Sequence, residues 1–134
     1  MKVVHIASLL ALALSGCAST KTPTVAIVLS PFSPIAATLS QAESADARAS
    51  VSAELASSGF KISRDRGAAD YVAFVRCKID EDSPSRLRPV IVFMKENPKP
   101  YLPPMPPLKS GVAGLAEDAA IVDREVRQAG LTPQ

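Results

Sequence analysis

The sequence predicts an α+β fold: a small mixed four-stranded sheet, in the chain order β-α-β-β-β-α, with two helices packed on one face. Three observations predict it. Short segments alternate apolar residues with period two, as strands do. Two longer segments carry one apolar stripe at helical spacing and end at a glycine. The two kinds of segment follow one another within a stretch that suits one domain, residues 24–130.

The first strand is "TVAIVLS", residues 24–30. Val25, Ile27 and Leu29 alternate with Ala26 and Val28, so it is apolar on both sides. A central strand, or one covered on both faces, reads this way. "SPFSP" ends it, because proline cannot continue a ladder. Ser40-Gln41-Ala42-Glu43 has the form of a capping box, with a hydroxyl and a carboxylate three residues apart. It opens an alanine-rich helix to about Ser58, with Ala47, Val51 and Leu55 as the buried stripe and Gly59 as a left-handed stop.

"FKIS" predicts a short second strand with Phe60 and Ile62 on one face, and "RDRGA" a turn. Tyr71 to Ile79 alternates well. Tyr71, Ala73, Val75, Cys77 and Ile79 share the side expected to face the core, since the other side ends in Arg76 and Lys78. Asp80 to Arg88 mixes acids, bases, serine and proline and reads as a loop. "PVIVFMK" is the fourth strand, Pro89 to Lys95. In the second helix Leu115, Ala119, Val122 and Val126 make the stripe, Asp123 and Arg127 form an i,i+4 pair, and Gly130 is the stop. A first crossover between parallel strands should be right-handed.

Between the last strand and the last helix lies a proline-rich segment, 97–108, with six prolines in "PKPYLPPMPP". Such density favours polyproline II, with three residues per turn and a rise of about 3.1 Å per residue. That period places Leu102, Met105 and Leu108 on one edge, Tyr101, Pro104 and Pro107 on a second, and Pro103 and Pro106 on the third. The Leu102-Met105-Leu108 edge is expected to pack on the domain as a strap. The competing expectation is that this edge, or Tyr101 with its prolines, docks in a partner's groove.

Ahead of the domain, Lys2 precedes an apolar run from Val3 to Leu14. That run is too short to cross a bilayer as a helix, which takes about 20 residues. A charged start, a short apolar run and small residues at its end describe a secretory signal peptide. The run closes on Leu14-Ser15-Gly16-Cys17, which resembles the lipobox of bacterial lipoproteins at all four positions. The resemblance implies cleavage between Gly16 and Cys17, lipid on the Cys17 sulfur and acylation of the new amino group. It divides the chain into a signal peptide (1–16), a lipidated tether (17–23) and the domain. Ala18, rather than aspartate, after the cysteine implies an outer-membrane position facing the periplasm in a Gram-negative organism, and the cell membrane in a Gram-positive one. Two or three acyl chains hold firmly, at about 0.8 kcal/mol per buried CH₂.

A further resemblance spans "AELASSGFKISRDRGAADYVAFV", residues 53–75. Leu55, Gly59, Phe60, Ala69, Asp70 and Tyr71 are similar to a pattern in small uncharacterised α/β envelope lipoproteins of bacteria. In these a helix ends in glycine and an aromatic, and an Ala-Asp-Tyr step opens the next strand. The resemblance implies an α/β layer and an accessory or assembly role in the envelope. The present chain has no tryptophan, whereas the later strands of such domains often do.

Composition narrows the chemistry. Removing residues 1–16 from 134 leaves 118, enough for one domain. The sole histidine, His5, leaves with the signal, so a Ser-His-Asp triad, a Cys-His pair or a His-ligated metal has no basis. Without Lys2, 14 of the 15 Lys and Arg remain against 13 Asp and Glu, a balance that offers no footprint for nucleic acid. No P-loop, dinucleotide fingerprint or calcium loop is present, and no cofactor is expected. With Cys17 lipidated, Cys77 is the one thiol left, expected as a small buried hydrophobe rather than a redox group. Asp80, Glu81 and Asp82 are the groups on which a carboxylate-based activity would have to rest. They are expected to be solvated, with Arg86 and Arg88 compensating their charge.

These readings lead to a lipid-anchored envelope protein, not an enzyme, with an accessory, structural or partner-binding role. Its expected partners are the membrane, through the lipid on Cys17, and an envelope protein. The alternative is a periplasmic small-ligand-binding protein or an enzyme of another kind, which a deep pocket with convergent polar groups would favour.

Overall fold

A computed structural model describes residues 21–130. The signal peptide, Gly16 and Cys17 lie outside those residues. The chain runs β1 (Thr24–Leu29), α1 (Gln41–Ser57), β2 (Lys61–Ser63), β3 (Tyr71–Asp80), β4 (Ser83–Glu96) and α2 (Ala116–Gln128). The strands form one mixed sheet in the order β2-β1-β3-β4. β1 pairs in parallel with β2 and β3, and β4 returns antiparallel to β3. The α+β class and the β-α-β-β-β-α order agree with the sequence reading.

The helix signals act locally as expected. Ser40 Oγ accepts from the Glu43 N–H at 3.1 Å, and Glu43 Oε1 accepts from the Ser40 N–H at 2.9 Å, a complete capping box. Ala47, Val51 and Leu55 are buried. Gly59 takes φ +110°, a left-handed conformation that side chains rarely adopt. Gly130 closes α2 at φ +69°.

The two helices do not share a face, contrary to expectation. Val25, Ile27, Leu29, Tyr71, Ala73, Val75 and Cys77 form one core with Ala47, Val51 and Leu55 of α1. Val28, Val72 and Phe74, of the opposite parity, form another with Ala119, Val122 and Val126 of α2. The cause lies in β1 and β3. Both are apolar at odd and even positions, so each face loses favourable burial, roughly 25 cal/mol per Å² of apolar surface, unless something covers it. The second parity of β3 turns to Arg76 and Lys78 only near its end, after Val72 and Phe74 have reached the core under α2. In β4 a register shift opposite Phe74/Val75 puts Val92 and Phe93 together against the α2 core, while Ile91 and Met94 serve the other.

Three local expectations are corrected. Asp80–Arg88 is not a loop: β3 continues through Asp80, and β4 pairs Arg88 with Lys78, Leu87 with Ile79 and Ser83 with Asp80. The ribbon runs past the end of β1, where Lys78, Arg86 and Arg88 are exposed and polar residues suit the strand; a shift between Ile79 and Asp80 absorbs the extra residues of β4. Phe60 and Ile62, expected on one face, do not share an environment: Phe60 is buried and meets the Tyr71 ring edge-on with centroids 5.8 Å apart, while Ile62, on the edge strand β2, is exposed. Leu115 is the N-cap of α2 and 67% exposed, not part of its stripe.

The proline-rich segment covers the part of the sheet that α1 leaves open. Pro103 is fully buried, and the Tyr71 hydroxyl donates to its carbonyl. Burial, with Glu96 and Asp70 adding to it, raises the Tyr71 pKa and keeps that donor protonated. Pro106 lies over Gly59, where an added Cβ would come within 3.5 Å of its ring. Leu102 and Leu108 pack partly buried on the α1 core. Met105 does not: it is 45% exposed. The edge set most firmly on the domain is therefore Pro103 and Pro106, not Leu102-Met105-Leu108. Proline rings fill an apolar surface as leucine does, and only Pro103 also offers its carbonyl where Tyr71 needs an acceptor.

Candidate functional site

β1 and β3 are neighbours and parallel, and the chain leaves their carboxyl ends in opposite directions. From β1 it turns into α1 and β2; from β3 it turns into β4. In open α/β sheets such a switch point leaves a crevice beyond the strand ends. Here β1 stops at Leu29, while the β3–β4 ribbon continues and faces the first turns of α1. Between them lies a cavity of about 510 Å³, within the size range of small-ligand sites.

Its walls carry opposite charges. Glu43, Asp46, Ala47 and Ser50 line it from α1, at spacings of three, four and seven residues that share a helix face. Asp80 lines it from β3, and Arg86 and Arg88 from β4. Its apolar lining includes Cys77, Leu87 and Pro89. A neighbouring cavity of about 330 Å³ shares Ser50, Arg88 and Pro89 with it and reaches Glu54, so the space continues along α1 as a groove.

The expected charge compensation is not found. Among the described residues neither Arg86 nor Arg88 has a nitrogen within 4.0 Å of a carboxylate oxygen. Asp80 instead accepts from the Asp82 N–H at 3.1 Å, and Glu81 and Asp82 are exposed in the hairpin turn. The Ser40 backbone N–H, and after it the Ser40 hydroxyl, hold the Glu43 carboxyl below its ordinary pKa, so it is ionised at neutral pH. Cys77 is buried, and burial, with the nearby Glu43 charge, pushes its thiol pKa up, away from a reactive thiolate.

The partner-binding candidates divide. Tyr101 (60% exposed) and Met105 project to solvent with Pro104 and Pro107, while Leu102 and Leu108 turn toward the core. Sequence reasoning singled out Asp80, Arg86 and Arg88 but missed Glu43 and Asp46. The capping box explains Glu43 without a ligand, and Asp46 looks like any solvated helix residue. The one available signal was their shared helix face.

Among the described residues no group of His, Cys, Asp and Glu is arranged to hold a metal ion, and no helix is long and apolar enough to cross a membrane. Comparisons with protein-family models, curated proteins and solved structures find no match.

Proposed function

We propose that this is a lipid-anchored protein of the bacterial cell envelope, with an accessory, structural or partner-binding role rather than one of turning over a substrate. The observation that carries this reading is the sequence Leu14-Ser15-Gly16-Cys17 at the end of a short apolar run. Lipid on Cys17 holds the domain to a membrane, with Ala18 favouring the outer membrane and a domain in the periplasm. The exposed residues Tyr101, Pro104, Met105 and Pro107 support a docking role: a proline-dense segment loses little entropy on entering an aromatic-lined groove of an envelope protein.

Labelling cells with an alkyne fatty acid tests the anchor. The wild-type protein should carry label and stay with membranes, and Cys17→Ser should lose both. A mature N-terminus that mass spectrometry shows to be unmodified at Cys17 refutes the anchor. A photocrosslinker at position 101 or 105 should capture an envelope protein that a crosslinker on the exposed face of α2 does not.

A second reading is favoured by the cavity between α1 and the β3–β4 ribbon. Its unpaired charges support a small-ligand-binding role for the same anchored domain.

A further inference from the structure

We infer that the groove between α1 and the β3–β4 ribbon binds a short peptide with both ends free, its carboxylate on Arg86 and Arg88 and its ammonium among Glu43, Asp46 and Asp80. The inference deepens the small-ligand reading and rests on the groove being a ligand site.

Four observations lead to it. The first is charge. Three partly buried charge pairs are closed elsewhere in the described domain: Arg66 with Asp123 at 2.6 Å, Arg76 with Glu125 at 3.2 Å and Lys99 with Asp70 at 3.0 Å. Around this cavity two guanidinium groups and three carboxylates line one space with no pair closed. A space lined by both signs suits a ligand carrying both better than one carrying a single charge, which would meet like charge there. The second is donor geometry. Arginine forks present paired N–H donors that match a carboxylate. The third is shape. The cavity and its neighbour follow α1 from Glu43 to Glu54, an elongated space beside a strand. The apolar surface of Ala47, Leu87 and Pro89 between the charged walls suits small side chains. The fourth is position, at the carboxyl end of the parallel strands where their connections diverge.

The test is a titration of the ¹⁵N-labelled full chain, solubilised in detergent, with trialanine, followed by amide shifts. Saturable shifts confined to residues 43–50, 77–80 and 86–89 are expected. N-acetyl-trialanine and trialanine amide, each lacking one charge, should bind at least tenfold more weakly. The Arg86→Gln/Arg88→Gln variant should lose affinity for trialanine at least tenfold while keeping the wild-type melting temperature. Blocked peptides that bind as well as the free one overturn the proposal. Inorganic phosphate is the control for the groove itself. If phosphate shifts these residues and trialanine does not, the groove is an anion site and the peptide inference fails alone. If neither does, the small-ligand reading fails with it.

Discussion

Two groups of charges, one on each face of the sheet, are arranged differently. Under α2, Glu125 receives Arg76 on both carboxylate oxygens at 3.2 Å and accepts from the Ser30 hydroxyl, a residue with no exposure. Asp123 takes Arg66 and Arg127, and Arg66 also lies 5.2 Å from the centre of the Phe74 ring. Under α1, Glu43, Asp46, Asp80, Arg86 and Arg88 line a cavity and close no ion pair with one another. A paired, partly buried charge belongs to the fold, because removing one member strands the other away from water. An exposed charge with no ion-pair partner keeps its hydration, asks nothing of its neighbours and is available to a molecule from outside.

Substitutions can break or sharpen this contrast. The largest effect is expected in the cores, which the charge pattern does not touch. Leu55→Ala removes a side chain with no exposure and should cost about 3 kcal/mol of unfolding free energy in a denaturant titration. Glu125→Ala should cost about 2 kcal/mol, because Ser30 and Arg76 lose their acceptor. A change within 0.5 kcal/mol would mean that the α2 face is no more tightly paired than the other.

Acid should act through Asp70. It accepts from the Thr24 N–H at 2.9 Å, the Thr24 hydroxyl at 3.1 Å and Lys99 Nζ at 3.0 Å, tying the start of β1 to the start of β3 and to the proline-rich segment. Burial alone would raise its pKa, but these donors outweigh burial and hold it below the ordinary carboxylate value. A folded-state pKa below the unfolded one adds stability above the ordinary value, about 3.9, and that stability is lost as pH falls through the folded value. Stability curves measured from pH 6 down to 2 should fall at the acid end, and Asp70→Asn should flatten the fall while lowering stability near neutrality. A wild-type curve that stays level to pH 2 would contradict this.

Cys77→Ala should cost about 1 kcal/mol through lost packing, and the native thiol should label slowly; rapid labelling would contradict its burial. The smallest effect belongs to the cavity wall. Arg86→Gln and Arg88→Gln should each stay within about 0.5 kcal/mol of wild type. A larger loss from either would show that its charge serves the fold and would erase the difference between the faces.

Local structure was far more legible than assembly. Ser40 with Glu43, the Ala47-Val51-Leu55 stripe and the Gly59 stop are signals within a few residues of one another, and each formed as read. The two-sided apolarity of β1 correctly marked a strand covered on both faces. It could not say which element covers which face, because Ala119, Val122 and Val126 would bury equally well on either. The ribbon past Ile79 was hidden because ladder pairing uses backbone groups, while its exposed side chains are those of a loop. The groove was least legible. Glu43 and Asp46 meet Arg86 and Arg88 only through the register of the β3–β4 hairpin and the return of α1 over the sheet, neither of which leaves a mark in sequence spacing.

The direction of β1 has a consequence for how the domain stands on a bilayer. The chain enters the sheet at Thr24, and the groove opens past the other end of that strand. With lipid on Cys17, as proposed, the seven steps to Thr24 reach at most about 25 Å. The six residues of β1 then carry the chain about 20 Å farther before the groove begins. The tether would enter at the Asp70–Lys99 end of the domain, and the groove would lie at the other end of β1, away from the point of attachment.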